Sequence, residues 1–252
     1  MSLLQHLMLL YHNMELSPRL KKITELAGKC DVVADIGTDH ALVPVFLVEN
    51  GLCQKAYACD VASEPLKRAG EYVASKGLSD KIKLILTDGL ENVPPDTDKI
   101  IIAGMGGELI ASIIAEDKLH KNAEYILQPM SMAKELRKYL YDNGFEIIDE
   151  VIVSEHNGEK LYCIINAHYT GIKTEYEYID LFASKKLIKK TDDDTVNYLF
   201  KQGNIQIKIA QCQKISEKAD KGNIEKSESV GKYLIEISEN NRRKQHENTR
   251  NI

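Results

Sequence analysis

The 252-residue sequence has no tryptophan and only four phenylalanines. Its five cysteines, Cys30, Cys53, Cys59, Cys163 and Cys212, are odd in number and never spaced as CxxC, which argues against a disulfide scaffold or a cysteine zinc site. No apolar run is long enough to cross a membrane. The segment Met1–Tyr11 is leucine-rich but too short to span, lacks a basic start and is broken by Gln5 and His6, so a cytoplasmic protein is expected. A full GxGxxG fingerprint is missing, and so is a glycine loop ending in Lys-Ser or Lys-Thr. The histidines His6, His12, His120, His156 and His168 form no metal-ligand spacing, and no Ser/His/Asp or Cys/His motif stands out. With 43% apolar residues, the chain is neither disordered nor collagen-like and can build a core.

The formal charge of -5 is unevenly spread. Residues 1–170 carry 17 Lys or Arg against 25 Asp or Glu, net -8, whereas residues 171–252 carry 16 against 13, net +3. The hydropathy pattern changes at the same place, which predicts two domains, 1–170 and 171–252. A largely acidic protein with a locally basic part fits an enzyme that meets a polyanion over a limited surface.

In the first part, short β-branched runs alternate with helical periodicity. Strands are expected at Val32–Asp35, Lys55–Asp60, Ile82–Thr87, Lys99–Ala103, Tyr125–Gln128, Phe145–Val153 and Tyr162–His168. Helices are expected at Leu42–Glu49, Glu64–Ser75, Glu108–Ile114 and Ala133–Tyr141. The succession reads as a doubly wound α/β, Rossmann-like sheet, with an antiparallel finish where the last strands have no helix between them. Beyond Thr174 the pattern predicts a helical hairpin: one helix starting at Asp192–Asp194, a polar break over Ser216–Asn223, and a second helix over Ile224–Ser238. The polar tail Glu239–Ile252 is expected to fray.

Candidate site residues sit where strands end. Val32 to Ile36 runs into Gly37-Thr38-Asp39-His40-Ala41. Gly37 permits a tight turn or close ligand approach, and Asp35 can bond a polar cofactor or simply fix the turn. Asp60 ends the next run and suits the hydroxyls of a ribose, as in a nicotinamide enzyme, or a helix cap. Asp88-Gly89 follows the third run and is either a turn or an adenine contact. Gly104-Met105-Gly106-Gly107 follows the fourth; its glycines can admit a reactive cofactor end and a flat substrate or relieve crowding at a helix start, and Met105 lines a pocket or fills core. His40 is either structural or a cofactor orienter.

In their order along the chain, Leu16-Ser17-Pro18-Arg19-Leu20, the Asp35–Ala41 loop, Asp60, Asp88-Gly89, Ala103–Gly107 and Ile126-Leu127-Gln128-Pro129 resemble the bacterial tRNA (adenine-22, N1) methyltransferases. Met130 departs from the asparagine expected after that Gln-Pro pair, which puts a substrate contact there in doubt. The resemblance implies a class I methyltransferase domain binding S-adenosyl-L-methionine. Asp35, Gly37 and His40 would line the first loop, Asp60 would reach ribose, Asp88 and Gly89 adenine, Gly104 the reactive end, and Arg19 the cofactor carboxylate or a substrate phosphate. Asp39 would stabilise the cationic base, Met105, Gly106 and Gly107 would form the reaction rim, and Gln128 would contact the base. The partner would be tRNA, whose phosphates Lys185, Lys186, Lys189, Lys190, Lys201, Lys208 and Lys214 could contact, unless they only solubilise the helices; no metal, membrane or obligate protein partner is expected, and the chain is expected to be a monomer. Methylation of another RNA or a small metabolite, or non-enzymatic nucleoside binding, are the alternatives.

Overall fold

A computed structural model describes residues 15–215 and 220–250. The leucine-rich Met1–Tyr11 segment lies outside the described residues, as does part of the expected break between the last two helices. The elements run α1 (Pro18–Ala27), β1 (Cys30–Ile36), α2 (Leu42–Glu49), β2 (Cys53–Asp60), α3 (Ser63–Ser75), β3 (Ile82–Leu86), β4 (Lys99–Gly106), α4 (Gly107–Glu116), β5 (Glu124–Ser131), α5 (Ala133–Asp142), β6 (Phe145–Glu155), β7 (Lys160–Tyr169), α6 (Asp193–Lys214) and α7 (Lys221–Arg250). Two short 3-10 turns, Tyr178–Leu181 and Leu187–Lys189, connect β7 to α6.

The sheet has seven strands in the order β3-β2-β1-β4-β5-β7-β6. β1 to β5 are parallel, while β7 pairs antiparallel with both β5 and β6. Because side chains alternate across a strand, each central strand feeds two cores. Ala34, Ile100, Ile102, Tyr125 and Leu127 face one core with Ile110 and Ile114 of α4 and Leu136 and Leu140 of α5. Val33, Ile101 and Ile126 face the other, with Ile23 of α1, Leu47 of α2 and Val73 of α3.

Three differences from the sequence reading have local causes. Helix α1 is new: Ser17 Oγ accepts from the Leu20 amide at 3.4 Å and Pro18 occupies the first turn, where its missing N–H costs nothing. Helix α7 starts at Lys221, because the Asp220 carboxylate accepts from the Gly222 amide at 2.9 Å and its carbonyl from Ile224 at 3.1 Å. The polar tail also does not fray at Glu239; the helix continues to Arg250. Its polar side chains are anchored, since Asn241 donates to the Ile188 and Lys190 carbonyls at 3.0 and 2.8 Å and Arg242 to Asn197 Oδ1 at 3.0 Å.

The two long helices pair antiparallel, with Lys214 of α6 on Glu228 near the start of α7 at 2.5 Å and Asp193 at the start of α6 on Gln245 far along α7 at 2.8 Å. They cross where Gly203 meets Gly231, and a Cβ on either would come within 2.8 Å of the other's carbonyl oxygen. A fully buried cluster ties this hairpin to the sheet. Arg137 of α5 is ion-paired with Glu150 of β6 and donates to the Leu181 carbonyl at 3.0 Å and the Tyr198 hydroxyl at 3.3 Å, while Glu150 also accepts from the Ser184 amide at 3.1 Å. The Arg137 charge holds the Glu150 carboxyl below the usual glutamate range against the burial that would raise it. All five cysteines are free thiols.

Candidate active site

Strand order reverses between β1 and β4, and in a sheet wound this way ligands bind at the carboxyl ends of the strands beside that reversal. The topology brings Asp35, the Gly37–Ala41 loop, Asp60 and Gly104–Gly107 to that edge, with Gln128 one strand further on. The Gly37 and Thr38 amides both donate to the Cys59 carbonyl, at 2.8 and 2.9 Å, so the first loop is fastened to the end of β2. Gly37 has φ +73°, and a Cβ there would lie 2.2 Å from Met105 Cε. Met105 of the glycine-rich rim therefore packs directly over the first loop.

Asp35 is 8% exposed and accepts from Thr38 Oγ1 at 2.6 Å. Burial pushes its carboxyl up to about 6, helped by the charges of Asp60 and Asp39 and opposed by the Thr38 bond. His40 and Ala41 both adopt left-handed backbone, φ 57° and 54°, a strained pair that costs about 1–3 kcal/mol per residue and is kept only where the surroundings enforce it. Asp39 Oδ1 lies 3.4 Å from His40 Nε2 and 3.9 Å from Arg68, while His40 Nδ1 is buried without a partner among the described residues.

Asp60 Oδ1 accepts from the Ala62 amide at 2.8 Å, just before α3, and the other oxygen makes no hydrogen bond to a described residue. The turn reading and the ligand reading of this carboxylate are thus compatible. Asp88 is exposed and lines a cavity of about 510 Å³ with Leu90, Glu91, Ile113 and Lys118. None of Asp35, Gly37 and Asp60 lines that cavity. Gly89 is backed by Ile113, whose Cγ2 would be 3.2 Å from a Cβ.

At the rim, Gly104 has φ +81° with open space where a side chain would be. Its amide donates to Gln128 Oε1 at 3.1 Å, and the same oxygen accepts from Arg19 at 2.8 Å. Gln128 Nε2 donates to its neighbour's carbonyl, that of Pro129, at 3.0 Å. Gln128 is fully buried with both ends of its amide engaged, so it braces the rim from behind and does not present a free group to a base. Arg19 also lies over the Tyr162 ring at 5.4 Å, and its backbone amide donates to Glu155 at 3.0 Å. Gly106 and Gly107 turn β4 into α4, Gly107 backing onto the Met132 carbonyl. Thr38, Tyr162 and Glu155 were not singled out in the sequence; Glu155 and Tyr162 meet Arg19 from more than 130 residues away, a separation that carries no local signal. Among the described residues no cluster of His, Cys, Asp or Glu could hold a metal, and His120 is packed between Asp117 Oδ1 and the Pro94 carbonyl.

The switch-point crevice, its row of acidic residues at successive strand ends and its glycine rim define a Rossmann-like methyltransferase. The family described as a methyltransferase domain matches residues 16–165. The Bacillus subtilis tRNA (adenine(22)-N(1))-methyltransferase is 37% identical over 175 residues, spanning 68% of this chain and 73% of that protein. The crystal structure of the B. subtilis M1A22 tRNA methyltransferase TrmK superposes with a TM-score of 0.74 at 28% identity, covering 91% of this chain and 99% of that one. Streptococcus pneumoniae Sp1610, solved in complex with S-adenosyl-L-methionine, gives 0.75 at 28% identity over 88% and 100%. The chain belongs to the tRNA (adenine-22, N1) methyltransferase family.

Proposed function

We infer that the protein transfers the methyl group of S-adenosyl-L-methionine to N1 of adenine 22 in tRNA. The observation that carries this is the 37% identity, across 73% of its length, to an enzyme of that specificity. The crevice fits such a cofactor. Asp35 is an anionic anchor for its cationic part, the spare oxygen of Asp60 suits a ribose hydroxyl, and the unpartnered His40 Nδ1 is a further polar contact. Gly104 leaves room beside them. Asp88 is assigned to the adenine ring with Gly89 beside it, and Arg19 to the mouth of the crevice.

The bound cofactor supplies a methyl carbon made electrophilic by its sulfonium. The adenine N1 lone pair forms the new N–C bond as the S–C bond breaks, the electron pair stays on sulfur, and the base becomes cationic; no proton is removed first. The protein's task is alignment, which contributes roughly 7–11 kcal/mol in well-oriented reactions. Gly104, Met105, Gly106 and Gly107 form the rim at which the base is presented, with Arg19 and Gln128 holding Gly104 in place. Asp39, within the first loop, is assigned to favour the cationic product through the local field.

The basic part after residue 170 is assigned to tRNA. Of the seven lysines expected to meet phosphate, Lys185, Lys190 and Lys214 are ion-paired with Asp180, Asp149 and Glu228, which leaves Lys186, Lys189, Lys201 and Lys208. No described helix is long and apolar enough to cross a membrane. A cytoplasmic monomer with a 1–170 catalytic and a 171–252 RNA-engaging division completes the reading.

Incubation with methyl-labelled cofactor and unmodified tRNA, followed by mass-spectrometric mapping, tests the assignment. Label at N1 of adenine 22, abolished by an adenine-22 to guanine transcript, is expected. Absence of label despite measured cofactor binding, or label at another base, overturns it.

A further inference from the structure

One strand away from the rim, a second cavity of about 510 Å³ opens between the β5–α5 junction and α6. It lies at the same edge of the sheet, because Gly106 is in register with Ser131 and Met105 with Pro129. Its mouth carries Met130 and Met132, 51% and 44% exposed, facing Ile205 and Ile209 of α6, each 38% exposed. Apolar surface of this kind beside an RNA-modifying centre is what an unstacked base lies against.

Two amides of α6, Gln202 and Gln206, also line it. Gln206 is only 5% exposed, yet neither amide hydrogen-bonds to any described residue. Neither amide is among the buried unpartnered polar atoms, so both reach the open cavity, and a carboxamide can donate to and accept from the edge of a base. The cavity wall carries Lys134 beside Glu135, with two further lysines on α6 outside the lining. Lys134 makes no ion pair, its ammonium resting 5.2 Å from the Tyr178 and Phe182 rings, and Lys201 and Lys208 lie one helical turn from Ile205 on α6, likewise without an ion pair among the described residues.

We propose that this cavity holds the nucleotide next in the chain to the target adenine, its base unstacked between the methionines and the α6 isoleucines and read by Gln202 and Gln206. The proposal rests on the tRNA reading of the site. The mouth is one strand, about 4.8 Å, from the rim, so a nucleotide held at the rim brings its chain neighbour to it. The target adenine itself belongs elsewhere: the walls come from β5, β7, α5, α6 and the turn before α6, and none from β1, β2 or β4, where the cofactor candidates lie.

The test pairs a protein change with an RNA change in the full-length enzyme. Gln202→Ala with Gln206→Ala is assayed on unmodified tRNA and on transcripts made abasic at position 21 or at position 23. The double variant is expected to lower kcat/KM for tRNA roughly fivefold to fiftyfold while cofactor affinity and melting temperature stay unchanged. One of the two abasic transcripts is expected to lose a similar factor with the wild-type enzyme and nothing further with the variant. Penalties that simply multiply for both transcripts, or a variant equal to wild type, overturn the proposal. A wild-type enzyme that binds cofactor but labels no tRNA refutes instead the function on which it rests.

Discussion

Replacing Gly231 by alanine separates a working helical hairpin from two helices that merely lie side by side. In an exposed helix the change is favourable by about 1 kcal/mol, because alanine loses less backbone freedom than glycine. Here the added Cβ would sit 2.8 Å from the Gly203 carbonyl oxygen and 2.8 Å from Ile207 Cγ1. The isoleucine can rotate away but the carbonyl belongs to the facing helix, so the helices must part. Overpacking of this kind costs about 1–3 kcal/mol, which outweighs or cancels the propensity gain and leaves a net loss of up to about 2 kcal/mol. For a chain of this size that lowers the thermal midpoint by up to about 8 °C. Gly203→Ala meets the Gly231 carbonyl at 2.7 Å and is expected to do the same. The double variant should cost less than the sum, because helices already parted admit the second methyl. Circular-dichroism melts of the three variants make the measurement, with cofactor affinity as a control expected to stay unchanged. A higher midpoint for either single variant refutes the close crossing.

Asp60→Asn keeps the oxygen that accepts from Ala62 while removing the charge, and should weaken cofactor binding about tenfold without changing the melting temperature; calorimetric titration decides, and unchanged affinity withdraws the ribose assignment. Arg137→Met leaves Glu150 buried without its partner, with an expected loss of about 3–5 kcal/mol in urea unfolding. The acid limb should also invert. In the wild type the depressed Glu150 adds stability above about pH 4.3 that is lost as pH falls through its folded value. In the variant burial raises that value above the unfolded one, so the wild-type loss below about pH 4.3 disappears and stability instead falls as pH rises above about 4.3 through the raised folded value; matching acid limbs would contradict the pairing. Asp35, pushed up to about 6, should make cofactor affinity decline as pH drops through that value, and Asp35→Asn should flatten the profile; an unaltered slope removes Asp35 from the cofactor site.

Much of the catalytic sheet was legible because β-branched runs with a period of two alternate with helical stretches. Leu42–Glu49 has the same limits in both readings. The acidic residues at strand ends were legible for the same reason: once a strand is located, its last residue is at the ligand edge. Helix α1 was missed although Ser17-Pro18 is a helix start, because its ten residues follow a segment with no periodicity to anchor it. Gln128 could not be placed from sequence. Its role depends on Arg19, 109 positions away, and on the bulge where β4 and β5 slip register at Met105. Gly203 argues against a helix on propensity alone, and only the facing Gly231 explains it. Deleting everything after Thr174, which the charge partition suggests as a clean cut, would strip Leu181, Ser184 and Tyr198 from the Arg137–Glu150 pair and so damage the sheet.

The place of β7 between β5 and β6 imposes an order in time. During synthesis the free edge of β5 is followed first by Phe145–Glu155, which makes no ladder with it, and only then by Lys160–Tyr169, which does. Until residue 169 has emerged, the nascent sheet keeps an open edge of unpaired amides and carbonyls, and β6 has nowhere in the sheet to dock. β6 can therefore join the sheet only with or after β7. A pause or truncation between residues 155 and 169 would expose that edge to pairing with other chains.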